Sequence, residues 1–364
     1  MSKHYPSSIK QFKNYFMKNI VKTLLLCSLG IVISCKSNPP SQTIGPNKLA
    51  KINVRKSIPL NSLEPRFFFP KHDSLIIISN YQGEKVLGRI ININTGEKIG
   101  EFMEHGRKTN QLLSVFSAGM INNKMWVYDI TGQRIVSCDL SVSPERKSSI
   151  YMTYPLNISY YWVAVDKFNN VYATGNEKQT SKIDIFNLNN QESISSIGNF
   201  NDMPTEYKST PAIWRTGQQS FLYLRPDAKF AVLAGRFTDK IEIVDLTSQK
   251  SKIIRGPDNF EAEYTPIFQE IDTVFSFNNK SKHAFLGGSA TQEYIYLLYK
   301  GDYHYKEDRE VTKKVLIYNW EGNLIKCYIV PHGTAEVTSD DLNQTLYLYD
   351  RIKKNIQIAH LALK

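Results

Sequence analysis

A short strand-and-turn unit recurs six times along this chain, and such a repeat restricts the fold more than any other feature of the sequence. Each copy combines alternating apolar residues, a nearby Asp, Asn or His, a turn and a second extended stretch. The copies occupy residues 91–96, 127–132, 183–188, 241–246, 315–322 and 356–361. A strand-rich repeat of roughly 40–50 residues is typical of the four-stranded blades of a β-propeller. The repeat therefore predicts a six-bladed β-propeller.

The stretches between the turns are built from residues that favour strands. Runs such as 75–79, 124–128, 162–165 and 294–299 are β-branched and aromatic, and turn-forming or charged residues bound them. Long stretches with the 3.6-residue periodicity of a helix are missing after residue 50. We therefore predict an all-β fold. The Asp and Asn residues of the repeat are expected to bond back to the backbone of their own turns.

A ring of blades leaves two open sheet edges unless its first and last blades are joined. Residues 51–54, Lys-Ile-Asn-Val, alternate as a strand should and precede the first repeat. We predict that this N-terminal strand completes the last blade, which ends near Leu361. The propeller domain then comprises residues 50–364.

The N-terminal part of the chain has the features of an export signal. Lys18 and Lys22 provide a basic segment, and residues 20–34 are mostly Leu, Ile and Val, a run too short to span a bilayer comfortably. The run closes with Val-Ile-Ser-Cys at 32–35, a sequence typical of a lipobox, in which the cysteine is acylated. We predict a signal peptide over residues 1–34 and lipidation of Cys35. A conventionally cleaved signal is the alternative.

Residues 35–49 are rich in Pro and Ser and are predicted to form a tether between the lipid and the propeller. Translation is expected to start at Met17, since a typical lipoprotein signal begins there; a longer basic segment from Met1 would have the same outcome. No acidic run follows Cys35. This favours an outer-membrane lipoprotein that faces the periplasm, with the cell surface as the alternative.

Charge and cysteine content exclude several classes of partner. Five of the 45 Lys and Arg precede Cys35, where no acid lies, so the remainder has 40 basic and 34 acidic residues. No basic stripe with interleaved aromatic residues is present, which argues against nucleic-acid binding. Cys138 and Cys327 occupy similar places in two repeat units, so we expect two separate thiols and no metal site. We predict a monomer without a cofactor.

Two local motifs resemble those of a known family. Residues 287–301, followed by residues 315–323, are similar to a segment of the TolB-like six-bladed propeller lipoproteins of Gram-negative gut bacteria. Residues 100–111 resemble the Gly-Arg-Gly-Pro-x-Glu-Phe loop of that family, although Lys108 and Thr109 replace Gly-Pro and Gln111 stands where Glu is expected. The resemblance implies a propeller fold and a location in the cell envelope. It implies no reaction.

A search for chemistry favours binding over catalysis. No zinc, nucleotide or serine-hydrolase motif is present, and we assign no catalytic residue. Three long connections, 198–215, 256–272 and 301–312, are expected to surround the funnel at one end of the ring. Aromatic residues stack on sugars or peptides, and Arg pairs with carboxylates. The predicted ligand-binding residues on or beside these connections are Arg107, Trp214, Arg215, Arg236, Tyr264 and Glu293. Their alternative roles are packing between blades for Trp214 and exposure to solvent for the arginines.

The predicted ligand is a protein or a carbohydrate, and a structural subunit of an envelope assembly is a further class. The alternative to binding is a propeller enzyme, a glycan hydrolase or lyase, which needs two carboxylates on one face. The candidate carboxylates on predicted loops are Glu206, Asp258, Glu261, Glu263, Glu270, Asp272 and Glu293.

Overall fold

Two edge strands begin the folded part of the chain, and both belong to blades that are completed much later in the sequence. They are β1 (Leu49–Lys51) and β2 (Val54–Pro59). The structure is a computed structural model and describes residues 44–60, 63–80, 83, 85–140, 151–176, 180–200, 203–207, 211–268, 273–340, 342 and 344–363. They lie in one compact unit, Ser41–Lys364. The predicted signal peptide and Cys35 fall outside the described residues.

The first three blades follow in chain order, each with four antiparallel strands. Blade 1 contains β3 (Pro65–Lys71), β4 (Ser74–Ser79), β5 (Val86–Asn92) and β6 (Lys98–His105), with a short fifth strand, β7 (Gln111–Leu112). Blade 2 contains β8 (Ser117–Ile121), β9 (Lys124–Asp129), β10 (Arg134–Asp139) and β11 (Tyr151–Pro155). Blade 3 contains β12 (Trp162–Val165), β13 (Asn170–Thr174), β14 (Ile183–Asn187) and β15 (Ser193–Ile197).

The last three blades carry two insertions, the helix α1 (Pro211–Gly217) before blade 4 and a separate hairpin before blade 5. Blade 4 contains β16 (Ser220–Leu224), β17 (Phe230–Gly235), β18 (Lys240–Asp245) and β19 (Ser251–Arg255). The hairpin consists of β20 (Thr265–Phe268) and β21 (Thr273–Ser276). Blade 5 contains β22 (Lys282–Ala290), β23 (Tyr294–Tyr303), β24 (Lys314–Asn319) and β25 (Leu324–Ile329), and blade 6 contains β26 (Thr334–Ser339), β27 (Thr345–Asp350) and β28 (Asn355–His360).

The first strands of the six blades form the inner ring. Each of β3, β8, β12, β16, β22 and β26 contacts the first strand of the next blade, and β26 contacts β3. Because neighbouring strands are antiparallel, the connections alternate between the two ends of the ring. We name the end at which the inner strands begin the upper end; it carries the connections between blades and the loops between second and third strands. The lower end carries the remaining turns.

The predicted closure of the ring is confirmed, but the closing strand lies later than residues 51–54. β2 pairs antiparallel with β28, with Ile58 opposite Ile356, and forms the outermost strand of blade 6. β1 instead pairs in parallel with β25 of blade 5. The reason lies in the core, since Ile58 is 1% exposed and packs between blades 6 and 1. Ile52, between the two strands, is buried between blades 5 and 6.

The Asp and Asn residues of the repeat stabilise turns, as predicted. The side-chain oxygen of Asn92 accepts a hydrogen bond from the backbone N–H of Asn94 at 2.7 Å, and that of Asp245 accepts one from Thr247 at 2.9 Å. In five blades the unit lies at the end of the third strand, whereas in blade 2 it lies at the end of the second strand, β9. There the carboxylate of Asp129 also accepts hydrogen bonds from the backbone N–H groups of residues 113 and 114, which belong to the connection from blade 1.

Cys138 in blade 2 and Cys327 in blade 5 are both buried, and no disulfide joins them. This confirms the expectation of separate thiols. Among the described residues, no helix is long and apolar enough to cross a membrane.

Candidate functional site

An aromatic cluster fills the centre of the ring, where the inner strands converge. The ring of Trp162 packs edge-to-face against Phe221, with centroids 4.9 Å apart, and against Phe67 at 5.8 Å. Tyr223 contacts Trp162 from blade 4 at 6.2 Å. These side chains come from blades 1, 3 and 4, so the ring itself assembles the cluster. Large aromatic rings are suited to this position because they span the gap between inner strands.

Polar side chains lie beside this cluster, on or next to the inner strands and on the loop between β17 and β18. We name Arg66, Tyr161, Tyr223, Arg236 and Glu336 the channel-mouth group. Nη1 of Arg66 lies 3.0 Å from Oε1 of Glu336, so that an ion pair joins blades 1 and 6. Nη1 of Arg236 donates a hydrogen bond to the hydroxyl of Tyr161, at 3.0 Å.

The electrostatics of the channel-mouth group are set mainly by burial. Desolvation raises the pKa of Glu336 to about 7, against the opposing effect of Arg66. Desolvation also raises the pKa of Tyr161, while Arg236 and Arg66 act in the opposite direction. Both guanidinium groups therefore lie within electrostatic reach of one hydroxyl. Burial, followed by the charge of Glu336, raises the pKa of Tyr223 well above its usual value.

A second aromatic group extends outward from the channel mouth across the upper end of blades 4 and 5. We name it the upper aromatic patch; it comprises Tyr207, Phe237, Tyr264, Phe275, Phe277, His283, His304 and Tyr305. Phe275 of the hairpin contacts Tyr264 at 4.7 Å and Phe237 at 5.3 Å. The imidazole of His304 stacks on Phe277, with a centroid distance of 4.8 Å. Arg236 links the two groups, because its guanidinium lies 4.9 Å from the Phe237 ring.

Part of the patch is open to solvent. Phe277 is 39% exposed and Tyr305 is 59% exposed. His283 lies between Phe237 and Phe277, and its pKa falls to about 4, through desolvation first and then the charges of Arg236 and Lys300. This imidazole is therefore neutral near pH 7.

The structure brings Arg236 and Tyr264, two of the sequence-predicted ligand residues, into one continuous group of rings at the upper end. Trp214 also lies at this end, in α1, but it is buried and packs edge-to-face on Phe200 of the same connection, at 5.7 Å. Arg215 is the next residue of the same helix and is partly exposed.

Two predicted residues lie elsewhere. Arg107 is exposed at the upper end between blades 1 and 2, where its carbonyl oxygen accepts a hydrogen bond from Arg134 at 3.3 Å. Glu293 is exposed on the turn between β22 and β23, at the lower end. The predicted set is thus divided between the two ends of the ring.

Two of the carboxylates considered for hydrolysis have structural partners. Asp258 accepts a hydrogen bond from the Tyr299 hydroxyl at 2.8 Å, and Glu261 pairs with Arg255. Glu270 and Asp272 lie outside the described residues. The most perturbed loop carboxylate is Asp239, which is fully buried; its pKa rises to about 6 through desolvation. Its carboxylate accepts hydrogen bonds from the backbone N–H groups of Asp258 and Asn259 and thereby fixes the connection that follows blade 4.

A cleft between blades 3 and 4 is small. Lys182 and Glu242 line it with an ion pair of 2.9 Å, and its volume is about 20 Å³, room for about one water molecule. Among the described residues, no three His, Cys, Asp or Glu side chains are grouped so that they could hold a metal ion. The channel mouth and the upper aromatic patch are therefore the better candidates for recognition.

Sequence reasoning missed Arg66, Tyr161 and Glu336. A usable signal was present, since each lies at the start of an inner strand, and Glu336 is an acid within a stretch of small and β-branched residues, Thr-Ala-Glu-Val-Thr. A charged residue on a strand with no exposed face must point into the central channel or be buried with a partner. The repeat predicts that the ring closes, but it does not show which side chains of the first and last blades meet.

The chain belongs to the TolB-like 6-blade propeller-like family, whose profile matches residues 62–341. The likeness inferred from the sequence motifs is thereby confirmed, together with the all-β, six-bladed fold. No curated protein matches the chain.

Solved structures share the fold at low sequence identity. A member of the DUF4221 family from Bacteroides vulgatus is 11% identical, with a TM-score of 0.54 over 86% of this chain and 98% of that one. Raptor from Chaetomium thermophilum is 10% identical, with a TM-score of 0.50 over 86% of this chain and 29% of that one. At these identities the likeness concerns the fold alone.

Proposed function

We propose that this TolB-like propeller is an exported, lipid-anchored binding module of the cell envelope, and that the upper end of its ring is the recognition surface. The observation that carries the proposal is the continuous series of aromatic rings from the channel mouth to the exposed Phe277 and Tyr305. Exposed aromatic rings beside cationic groups are suited to stacking on a sugar or a peptide.

The charge of Arg236 supports the same conclusion. Its guanidinium contacts a neutral hydroxyl and two aromatic rings, and within the described part of the chain no carboxylate lies at ion-pair distance from it. A partly buried cation without a countercharge favours an anionic or strongly polar ligand. The ligand is expected to be a carbohydrate or a protein segment.

The anchor is supported by the sequence and the family. The lipobox ends at Cys35, and residues 35–49 are of suitable composition for a tether. TolB-like proteins are generally periplasmic or envelope-associated. An acylated cysteine carries more than one chain, which makes anchoring stable. Mass spectrometry of the exported protein should find an acylated N-terminal Cys35, and Cys35→Ala should move the protein from the membrane to the soluble fraction. An unmodified Cys35 in the exported protein would disprove the anchor.

Binding is tested with paired variants at the two ends of the ring. Wild-type protein, Phe277→Ala/Tyr305→Ala at the upper end and Phe168→Ala/Leu342→Ala at the lower end are titrated with neutral and acidic oligosaccharides and cross-linked to envelope proteins. Phe168 and Leu342 are 63% and 74% exposed, so the control removes apolar side chains that are at least as accessible as Phe277 and Tyr305. A ligand should be lost only by the upper-end variant. Loss confined to the lower-end variant would refute the assigned surface.

One observation favours the enzymatic alternative. The carboxyl group of Glu336 has a pKa of about 7, raised by burial, which suits a general acid near neutral pH. Release of reducing ends from an oligosaccharide, abolished by Glu336→Gln, would make the protein a glycan hydrolase. Binding without turnover would leave it a binding module.

A further inference from the structure

The two arginines of the channel-mouth group differ in their partners. Arg66 is neutralised by Glu336 at 3.0 Å, whereas Arg236 contacts the neutral Tyr161 hydroxyl at 3.0 Å. Both guanidinium groups lower the pKa of that hydroxyl through their charge, so both lie within electrostatic reach of it. An anion beside Tyr161 would therefore be attracted by both arginines. Among the described residues, no carboxylate forms an ion pair with Arg236.

The carboxylate of Glu336 is mostly buried, and its partner Arg66 is the more exposed member of the ion pair. The Glu336 side chain is 11% exposed and that of Arg66 is 27% exposed. A Cβ atom on Gly287 would lie 2.9 Å from Oε2 of Glu336 and 3.9 Å from the Tyr223 hydroxyl. The glycine therefore lets the inner strand of blade 5 pack directly against the carboxylate, because a side chain at this position would push the carboxylate aside.

Several groups face the two charges and set their balance. Arg66 on β3, Tyr223 on β16 and the more distant Arg351 and Lys313 act on Glu336, and desolvation opposes its ionised form. Arg236 faces Tyr161 and His283, and this imidazole is neutral above about pH 4. Glu336 is thus the group of the channel mouth that titrates near neutral pH, with Arg66 as its countercharge.

We propose that the channel mouth binds a carboxylate-bearing ligand between Arg66 and Arg236. The carboxylate of the ligand replaces that of Glu336 as the partner of Arg66, and Glu336 takes up one proton from solvent. The proposal rests on the upper end being the recognition surface and names the chemistry of its ligand. An Arg guanidinium binds a carboxylate through two parallel hydrogen bonds. Two adjacent carboxylates in a poorly solvated site do not both stay ionised, so one of them is protonated.

Proton uptake follows from charge balance. Before binding, the two arginines and Glu336 carry a net charge of about +1; with Glu336 protonated and one carboxylate bound, the net charge is the same. The ligand thus enters without leaving an excess of charge in the channel. Affinity should rise as the pH falls from about 8 to about 5.5, because Glu336 is then already protonated.

The test uses two sources of carboxylate, each with its neutral counterpart. D-Galacturonate is compared with D-galactose, and N-acetylalanine with its amide, by isothermal titration calorimetry in buffers of different ionisation enthalpy. We expect one acid to bind at pH 8 with uptake of about one proton and at pH 5.5 with almost none, and its neutral counterpart to bind at least about tenfold more weakly. The acid that binds identifies a sugar or a peptide C-terminus as the source. Failure of both acids would overturn the proposal.

Variants separate this site from the upper aromatic patch. Arg66→Gln should weaken binding about tenfold or more, and Glu336→Gln should bind at pH 8 as wild type does at pH 5.5, without proton uptake. Arg225→Gln is the matched control, since Arg225 pairs with Asp227 at 2.8 Å at the lower end; it should bind as wild type does. Unfolding temperatures of all variants are measured first. If Phe277→Ala/Tyr305→Ala loses a ligand that Arg66→Gln retains, the recognition surface stands and the carboxylate site falls.

Discussion

The closing strand offers the sharpest test of the architecture. Ile58 on β2 is 1% exposed and lies opposite Ile356 of the last blade. It packs among Leu75 of blade 1 and Tyr349 of blade 6. Ile58→Ala would remove three carbon atoms from this seam while leaving the backbone pairing of β2 intact.

The cost follows from the burial of this side chain. Three methylene equivalents at about 0.8 kcal/mol each give about 2.4 kcal/mol of lost transfer free energy. The cavity left behind adds about 1 kcal/mol or more, since a close-packed seam relaxes only in part. The free energy of unfolding should therefore fall by about 3–4 kcal/mol.

Urea unfolding, followed by tryptophan fluorescence and by circular dichroism, measures the change. Ile194→Ala serves as the control, because Ile194 is 54% exposed on the outer strand of blade 3; its effect should stay within about 0.5 kcal/mol. A loss below about 1 kcal/mol for Ile58→Ala would show that β2 does not close the ring. Deletion of 54–59 should then also leave the midpoint unchanged.

Three further substitutions test other contacts. Lys182→Met should lower the free energy of unfolding by about 3–5 kcal/mol, because it leaves the buried carboxylate of Glu242 without its ion-pair partner. Urea unfolding of the double variant with Glu242→Gln should show that part of this loss is recovered. Gly288→Ala should cost at least about 2 kcal/mol by thermal unfolding, since the new Cβ would lie 2.1 Å from the Tyr296 carbonyl oxygen. In the folded protein Glu336 has a pKa of about 7, against an ordinary value of 4.5. Its contribution to the free energy of unfolding is therefore complete below pH 4.5 and is lost as the pH rises through 7, a loss on the order of 3 kcal/mol. Glu336→Gln should flatten that part of the pH profile of stability, and an unchanged slope would disprove the shift.

Much of the fold could be predicted because each blade repeats a local pattern. The alternation of apolar residues and the turn-forming Asn92 or Asp245 act within a few residues, so the sequence carries the signal directly. Closure was also predictable, since an open ring leaves two edges. The choice of 54–59 over 51–54 was not, because both stretches alternate and only the packing of Ile58 distinguishes them.

The site was less predictable, for a physical reason. Arg66 and Glu336 meet although 270 positions separate them, because the ring brings its first and last blades together. Periodicity and short motifs along the sequence cannot indicate a contact between residues so far apart. The hairpin β20–β21 was likewise missed within the connection 256–272, although it supplies Phe275 to the upper aromatic patch. Arg236 and Tyr264 were predicted because aromatic and cationic residues on long connections are common in recognition surfaces.

The pairing of β2 with β28 also governs the order of events during biogenesis. β2 is among the first strands to leave the ribosome, and its partner is the last, so the earliest strand remains without its neighbour until almost the whole chain has been made. Contacts so distant in sequence form slowly, and an unpaired edge invites aggregation meanwhile. We therefore expect the chain to become resistant to proteolysis only when β28 is available to pair with β2.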